Sequence, residues 1–399
     1  MSVPKHQHIF LHAQKYIMIF VGKWYIQFNN KTANKIYKIY SFFMESYFLL
    51  MTQQILISMI IFRSCQERAI ELVCYYIQYT NSNICSFLSK RNEMKKVYNH
   101  ITVYETANLE HRTRHIYLEY AGVNKKVITF FLALTGIAGA IWYILVVGDT
   151  LSAESEDGIC FIQRGLNFQI WYPFDLYNKC FGITLVSDIA LYICAVSTHI
   201  YNKISPVSFM IFILGQIKIL QEMIRRIEND VADIRISQNM DYDDAVLKII
   251  TNCARKHQEV IRLMDLIESA CKEIVLIGFF TNSLELAAFV IKLLMEEEIS
   301  GALRTIGILC MTISQLFMFF WFANEIKIES TNISDVIYYE TNWLKYDNRA
   351  RRHLMLMMTR SQRPLTITIA TIGHMSIDTF KKIMKLCYSI ATFFKTVYM

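Results

Sequence analysis

Two stretches decide how this chain is read: Val127–Gly148, VITFFLALTGIAGAIWYILVVG, and Thr305–Asn324, TIGILCMTISQLFMFFWFAN. Neither contains a charged side chain, over 22 and 20 residues respectively. About 20 apolar residues in a helix match the roughly 30 Å hydrocarbon core of a bilayer, so each reads as a transmembrane span. Four more segments reach spanning length with a polar feature inside: Ile39–Phe62 with Glu45, the polar-rich Leu72–Leu88, Cys180–Asn202 with Asp188, and Ile274–Ile291 with Glu285. Such groups need protein neighbours within the membrane. The last apolar segment, Met375–Met399, carries Asp378, Lys381, Lys382, Lys385 and Lys395, and suits a helix enclosed by protein or lining water. The expected fold is an all-α integral membrane protein with seven transmembrane helices.

Composition supports this. Of 399 residues, 54% are apolar or aromatic and 19% charged, with 13 Gly and 4 Pro. That excludes disorder, collagen-like repeats and a soluble multidomain chain joined by turn-rich linkers. The net charge of +7 is spread along the chain with no basic stripe among exposed aromatics, so no nucleic-acid partner is expected. Ten cysteines stand singly without a CxxC pair, which indicates neither a zinc site nor a disulfide framework. The segment 1–38 has six lysines and no acid, and its apolar run Tyr16–Val21 is too short for a cleavable signal, so the first span is expected to direct insertion.

Seven spans alternate sides, and basic excess orients them. With the N-terminus inside, segments 1–38, 89–126 and 325–363 hold 21 basic against 9 acidic residues, whereas 63–71, 149–179 and 292–304 hold 6 against 10. The expectation is a cytoplasmic N-terminus and an extracellular C-terminus. Segment 1–38 is then a cytoplasmic lead, 39–324 holds helices one to six, 325–363 is a cytoplasmic helix, and 364–399 is the seventh helix. Between spans four and five, 203–273 is charge-balanced, with apolar residues recurring at three and four: Phe209, Ile213, Leu220, Ile224 and Ile227, then Val246, Ile250, Cys253, His257, Val260, Met264 and Ile267. A further stripe, Tyr339, Trp343, Tyr346, Ala350, Leu354 and Met357, follows span six. Water-exposed helices with apolar stripes must pack, either within one chain or between subunits, and the expectation is a cytoplasmic bundle that joins subunits.

Catalytic signatures are missing: the chain has no GxSxG, HExxH or glycine-rich phosphate loop. His6, His8 and His12 lie in a Lys-bearing tail, His111 and His115 sit beside Arg112 and Arg114, and His257 and His374 stand alone. No enzyme activity and no cofactor are expected. Gly136 and Gly139 break span three without a matching half elsewhere, which argues against an inverted-repeat transporter. A receptor or a channel remains.

The C-terminal third narrows the choice. Trp343, the basic run Arg349–Arg352, LMLMMTRSQRPLTI ending at Ile367 with Arg360, Gln362, Arg363 and Pro364, and FKKIMKLCYSIATFF from Phe380 to Phe394 with the Tyr388-Ser389 pair together resemble the C-terminal signature of the insect odorant receptor family. Trp171-Tyr-Pro-Phe-Asp175, the inverted topology and the chain length are similar too. The length resembles an odorant-tuned subunit rather than the shared co-receptor, whose chain is longer between spans four and five. The resemblance implies a tetrameric, odorant-gated cation channel assembled with the odorant receptor co-receptor in a sensory neuron's plasma membrane. In it the last helix lines the pore, cytoplasmic helices join subunits, and a small volatile odorant binds in the outer half of the membrane among spans two, three, four and six.

Within that frame, an apolar cavity with one or two orienting polar groups is required. Span three offers Thr135, Ala138 and Trp142 on one face, Trp142 being a cavity wall or an interfacial anchor. Span two offers the hydroxyls of Tyr75, Tyr76 and Tyr79, which suit ligand orientation or packing equally. Span four supplies Ile183 and Ser187, and span six Ile306, Cys310 and Ser314, by depth and spacing alone. Thr392, Thr396 and Met399 share a face of the last helix, and the gate is expected around Thr396. Trp343, Leu354 and Tyr388 are the expected subunit contacts. Cys160 and Cys180 flank the acidic outer loop, and the sequence leaves a bridge and two free thiols both open. The sequons at Asn30 and Asn332 fall on the cytoplasmic side and should stay unmodified. Two alternatives are a gustatory receptor of the same superfamily and, from another class, a G-protein-coupled receptor. The latter's Asp/Glu-Arg-Tyr triplet and Asn-Pro-x-x-Tyr motif are absent and its orientation is opposite.

Overall fold

A computed structural model describes residues 9–24, 30–63, 66–89, 91–106, 112–152, 181–296, 299–369 and 373–398. The helices are α1 His12–Phe20, α2 Lys31–Ile61, α3 Gln66–Leu88, α4 Asn92–Thr106, α5 Arg114–Ser152, α6 Phe181–Arg225, α7 Ile227–Gln238, α8 Tyr242–Met295, α9 Ile299–Glu340, α10 Asn348–Ser361 and α11 Ile377–Tyr398. A 3-10 turn, Trp343–Lys345, joins α9 to α10. Five of the described helices are long and apolar enough to cross a membrane, by length and composition alone: α2, α5 over Arg114–Leu145, α6 over Tyr192–Arg225, α8 and α9. Thr305–Asn324 lies inside α9, and Val127–Gly148 lies inside α5, up to Leu145 within its spanning part.

Local chemistry sets the boundaries. Asn30 caps α2 by accepting from the Thr32 amide at 2.9 Å, and this side-chain bond satisfies one of the helix's orphan donors. The chain leaves α7 through Asn239, whose left-handed φ of 51° suits a short polar side chain at a helix end. Asp347 caps α10, its carboxylate held low by hydrogen bonds from Arg349 and the adjoining backbone. Beyond α10 the expected seventh helix over 364–399 is corrected: it begins only at Ile377. Pro364 cannot continue a helix and the following Thr-Ile-Thr-Ile run is β-branched. Thr368–Ile369 instead pairs antiparallel with Gly373–His374, and Thr368 Oγ1 donates to Glu268 on α8 at 2.5 Å.

At the centre stands α6, apolar on nearly every side and buried from Tyr201 to Leu214 with the exception of half-buried Lys203. A helix hydrophobic all round belongs inside protein, and α5, α8 and α9 enclose it. The N-terminal segment is pinned to this core by a polar relay. Asn124 Nδ2 donates to the Phe10 carbonyl at 3.0 Å, and its Oδ1 accepts from Ser208 Oγ at 2.7 Å. Ser208 accepts in turn from Gln14. Asn124→Ala strands two buried groups, and is expected to destabilise the protein by about 1–3 kcal/mol. Thermal unfolding of detergent-purified protein measures this, and an unchanged midpoint would remove the relay from the account.

Helices α6, α8 and α9, of 45, 54 and 42 residues, far exceed a bilayer's thickness. Their excess length meets α7 and α10 in a distal bundle. Tyr346 is buried there and donates to Glu228 Oε1 at 2.8 Å, while Tyr242 donates to Oε2 at 3.2 Å. Burial, then the Glu228 carboxylate, pushes the Tyr346 phenol well above its usual range, so it stays a donor. Arg225 bridges to Glu340 at 2.6 Å and Arg112 to Asp230 and Asp233.

One expected subunit contact is corrected by this bundle. Tyr346, Ala350, Leu354 and Met357 are buried against helices of the same chain, with Leu354 at 0% exposure. The stripe therefore closes an intrachain core, because α10 folds back onto α8 and α9. The side chains left outward are Tyr338, Tyr339, Leu344, Met355 and Leu356. Trp343 is half-buried and lies 5.9 Å from the Tyr338 ring.

Candidate ligand-binding cavity

Four helices present one stripe each to a shared space. Helix α3 contributes Tyr75, Gln78, Tyr79 and Ser82, spaced three and four apart; α5 contributes Thr135, Ala138 and Gly139; α6 contributes Tyr192, Ala195, Val196 and His199; α9 contributes Ile308 and Met311. Phe48 of α2 closes one side, stacked on Tyr79 with ring centroids 5.3 Å apart. The cavity encloses about 730 Å³ of empty space, part of it open to the surroundings.

Small residues make the room. Ala138 and Ala195 leave volume on facing helices, and Gly139 lets Tyr192 approach so closely that a Cβ at 139 would meet its hydroxyl. The polar groups are few and uncharged: tyrosine hydroxyls, the Gln78 amide, Ser82, Thr135 and His199. Thr135 donates its hydroxyl to the Phe131 carbonyl at 2.7 Å, leaving only its lone pairs for a ligand. His199 Nε2 lies 3.1 Å from Gln315 Oε1. No carboxylate or ammonium is among the described lining residues. This arrangement suits a small, mostly apolar ligand with one or two hydrogen-bonding atoms.

Of the residues expected here, Tyr75, Tyr79, Thr135 and Ala138 come together on the cavity wall. Tyr76 is half-buried against the apolar cluster that contains Phe48 and Tyr79, and is not among the lining residues. On α9 the expected face is out of phase. Ile306 and Cys310 are exposed and Ser314 donates to the Cys310 carbonyl at 2.7 Å, while Ile308 and Met311 face inward. The side chains of Trp142, Ile183, Ser187 and Asp188 lie outside the described residues, as do Cys160, Cys180 and Met399. Sequence reasoning passed over Phe48, Gln78, Ser82, Gly139, Tyr192, Ala195, Val196 and His199. Extending the Tyr75 and Tyr79 stripe by helical spacing reaches Gln78 and Ser82. On α6 the cavity lies two to three turns beyond Ile183 and Ser187.

Among its described side chains, the last helix packs on one face. Ile383 and Cys387 are buried, and Phe380 meets Phe317 and Phe320 with centroids 5.6 and 6.2 Å away. Tyr388, Thr392 and Thr396 are exposed on the protomer, and each of the two threonine hydroxyls donates to a backbone carbonyl of the preceding turn.

Comparison with known proteins agrees with this architecture. The family model described as 7tm Odorant receptor matches residues 67–388. Odorant receptor 10 of Aedes albopictus is 30% identical over 192 residues, 48% of this chain and 49% of that protein. Odorant receptor Or2 of Anopheles gambiae is 27% identical over 149 residues, 37% and 39% of the two chains. The chain thus spans half or less of the length of these relatives. Among solved structures, the insect olfactory receptor OR5 from Machilis hrabei in complex with eugenol superposes with a TM-score of 0.78 at 16% identity, covering 97% of this chain and 99% of that one. An apolar multi-helix membrane architecture, an uncharged ligand-sized cavity and a family match over most of the chain converge: the protein belongs to the odorant receptor family, multi-pass membrane receptors and not enzymes.

Proposed function

We propose that this chain is the odorant-binding subunit of a heteromeric, odorant-gated, nonselective cation channel formed with the odorant receptor co-receptor in a sensory neuron's dendritic plasma membrane. The observation that carries the reading is the uncharged cavity among α2, α3, α5, α6 and α9, whose tyrosines, Gln78 and His199 provide neutral donors and acceptors in an otherwise apolar wall. Odorants need that chemistry: burial supplies affinity and a single hydrogen bond supplies orientation. The seven spans run from a cytoplasmic N-terminus to an extracellular C-terminus. The outward face of α11, with Thr392 and Thr396, contributes to the pore. Tyr388, Trp343 and the exposed Tyr338, Tyr339, Leu344 and Leu356 meet neighbouring subunits. The match to odorant receptors favours neither the gustatory nor the G-protein-coupled alternative.

Coexpression with a co-receptor and an odorant panel under voltage clamp is the direct test, with odorant-evoked, nonselective cation current expected only when both subunits are present. Antibody access to epitope tags on intact cells checks the topology. A tag at the C-terminus is expected to be reached and one at the N-terminus to be protected. An exposed N-terminal tag sinks the channel reading.

A further inference from the structure

The first turns of α2 carry a cationic face. Lys31, Lys35 and Lys38 are all exposed and follow one another at four and three residues, so they share one side of the helix. Phe42, 72% exposed, and Leu49, 53% exposed, continue the same line four and then seven residues further on. The face is held outward. From the other side of α2, Tyr37 donates its hydroxyl to the Met18 carbonyl at 3.1 Å, Ser41 donates to the Gly22 carbonyl at 2.7 Å, and Tyr40 donates to the Phe20 carbonyl. These bonds dock α2 on the end of α1 and leave the lysines turned away from it. Little acid offsets their charge. The segment 1–38 contains no Asp or Glu, and Glu45, the next acid along α2, is taken by buried Lys23. Cations elsewhere meet carboxylates, as Lys218 meets Glu329 and Arg225 meets Glu340, both at 2.6 Å. Among the described residues, Lys31, Lys35 and Lys38 have no such partner. The positive end of the α2 dipole adds to the same field, since its first turn holds no acidic residue.

Charge and apolar surface follow one another along α2 in the order of a lipid. From Lys38 to Leu49 the helix rises roughly 16 Å, about the hydrocarbon depth of one leaflet. We propose that this face is a docking surface for an anionic phospholipid, its headgroup held among Lys31, Lys35 and Lys38 and its chains laid along Phe42 and Leu49. Lysine stems lie along apolar surface while their ammoniums reach the headgroups. Each such lysine beside an anionic membrane strengthens the attraction about fivefold. A zwitterionic lipid offers the same chains without the net charge. Because α2 is tied to α1, and Gln14 of α1 to Ser208 of α6, a bound lipid stabilises the folded core. The cytoplasmic leaflet is its source on the topology proposed above, whereas the recognition itself needs only the face.

The test uses the purified full-length protein in a nonionic detergent, with dioctanoylphosphatidylserine and dioctanoylphosphatidylcholine as probes. Their chains are identical and their headgroups differ in net charge. The serine lipid is expected to raise the melting temperature by about 2 °C near saturation, the choline lipid not at all. Raising the salt from about 0.1 M to about 1 M should shrink the shift, since the Debye length falls from roughly 10 Å to roughly 3 Å. Lys31→Gln, Lys35→Gln and Lys38→Gln combined should remove it, and Lys35→Gln alone should raise the half-saturating lipid concentration about fivefold. Arginine at all three positions should keep it. Equal shifts with both lipids, no shift with either, a shift that survives the triple glutamine variant, or its loss in the arginine variant would overturn the surface. Inorganic phosphate alone should do nothing, and a full shift with phosphate would assign the lysines to a free anion and overturn the lipid. No co-receptor or current enters the experiment, so its failure and that of the channel reading are told apart.

Discussion

Gly139→Leu is expected to abolish activation by any odorant that uses the cavity, with a loss in potency of at least about a hundredfold, equivalent to roughly 3 kcal/mol of binding. Two effects add. A Cβ at 139 meets the Tyr192 hydroxyl, so that ring must swing aside. The remaining leucine carbons then occupy ligand volume between α5 and α6. Overpacking a filled core costs about 1–3 kcal/mol, but here the displaced ring has an empty cavity to enter, so folding and delivery should survive. Gly136, one turn away on the same helix, provides the control. A Cβ there meets nothing within 4 Å and the residue is exposed, so Gly136→Leu should leave the response unchanged. Surface-normalised concentration–response curves for both variants decide the matter. A wild-type curve for Gly139→Leu removes this cavity from odorant recognition.

Leu354→Asp is expected to unfold the distal bundle. Leu354 has no exposed surface, and a carboxylate in its place is left without a partner among Ala350, Met357 and the apolar faces of α8 and α9. Uncompensated burial of a charge costs on the order of 3–5 kcal/mol, a large part of a protein's net stability. The readouts are loss of a monodisperse peak on size exclusion and a lowered unfolding midpoint for the receptor expressed alone. Leu356→Asp, two residues on and 68% exposed, separates folding from assembly. It should change protomer stability by no more than about 0.5 kcal/mol, yet reduce co-purification with the co-receptor. A Leu354→Asp receptor that is normally stable alone and fails only in assembly would return this residue to the subunit interface.

How far the sequence alone reaches follows from which forces act locally. The charge-free runs at 127–148 and 305–324 had to become long apolar helices, since backbone polar groups in hydrocarbon must be satisfied within the segment. Three-and-four periodicity in 203–273 carried α6 and α8 beyond bilayer length for the same kind of reason: helical spacing is a property of the chain itself. Tyr75, Tyr79, Thr135 and Ala138 were legible as cavity residues because their helices have a clear inner face. On α9 almost every side chain is apolar, so no periodicity distinguished the face of Ile308 and Met311 from that of Ile306 and Cys310. Only packing against α5 and α6 chose between them. The same holds for α10, where one apolar stripe is equally compatible with an intrachain core and a subunit contact until its position relative to α8 and α9 is known. The ligand cavity arises from residues far apart in the chain, from Phe48 to Met311. Its existence depends on where α3, α5, α6 and α9 come to rest, which spacing along a single helix does not encode. Element type and membrane residence were thus determined by the sequence, because backbone hydrogen bonding and apolar length act within each segment. Which faces meet, and what space they leave between them, was decided by the tertiary structure, because packing is settled by all the helices at once.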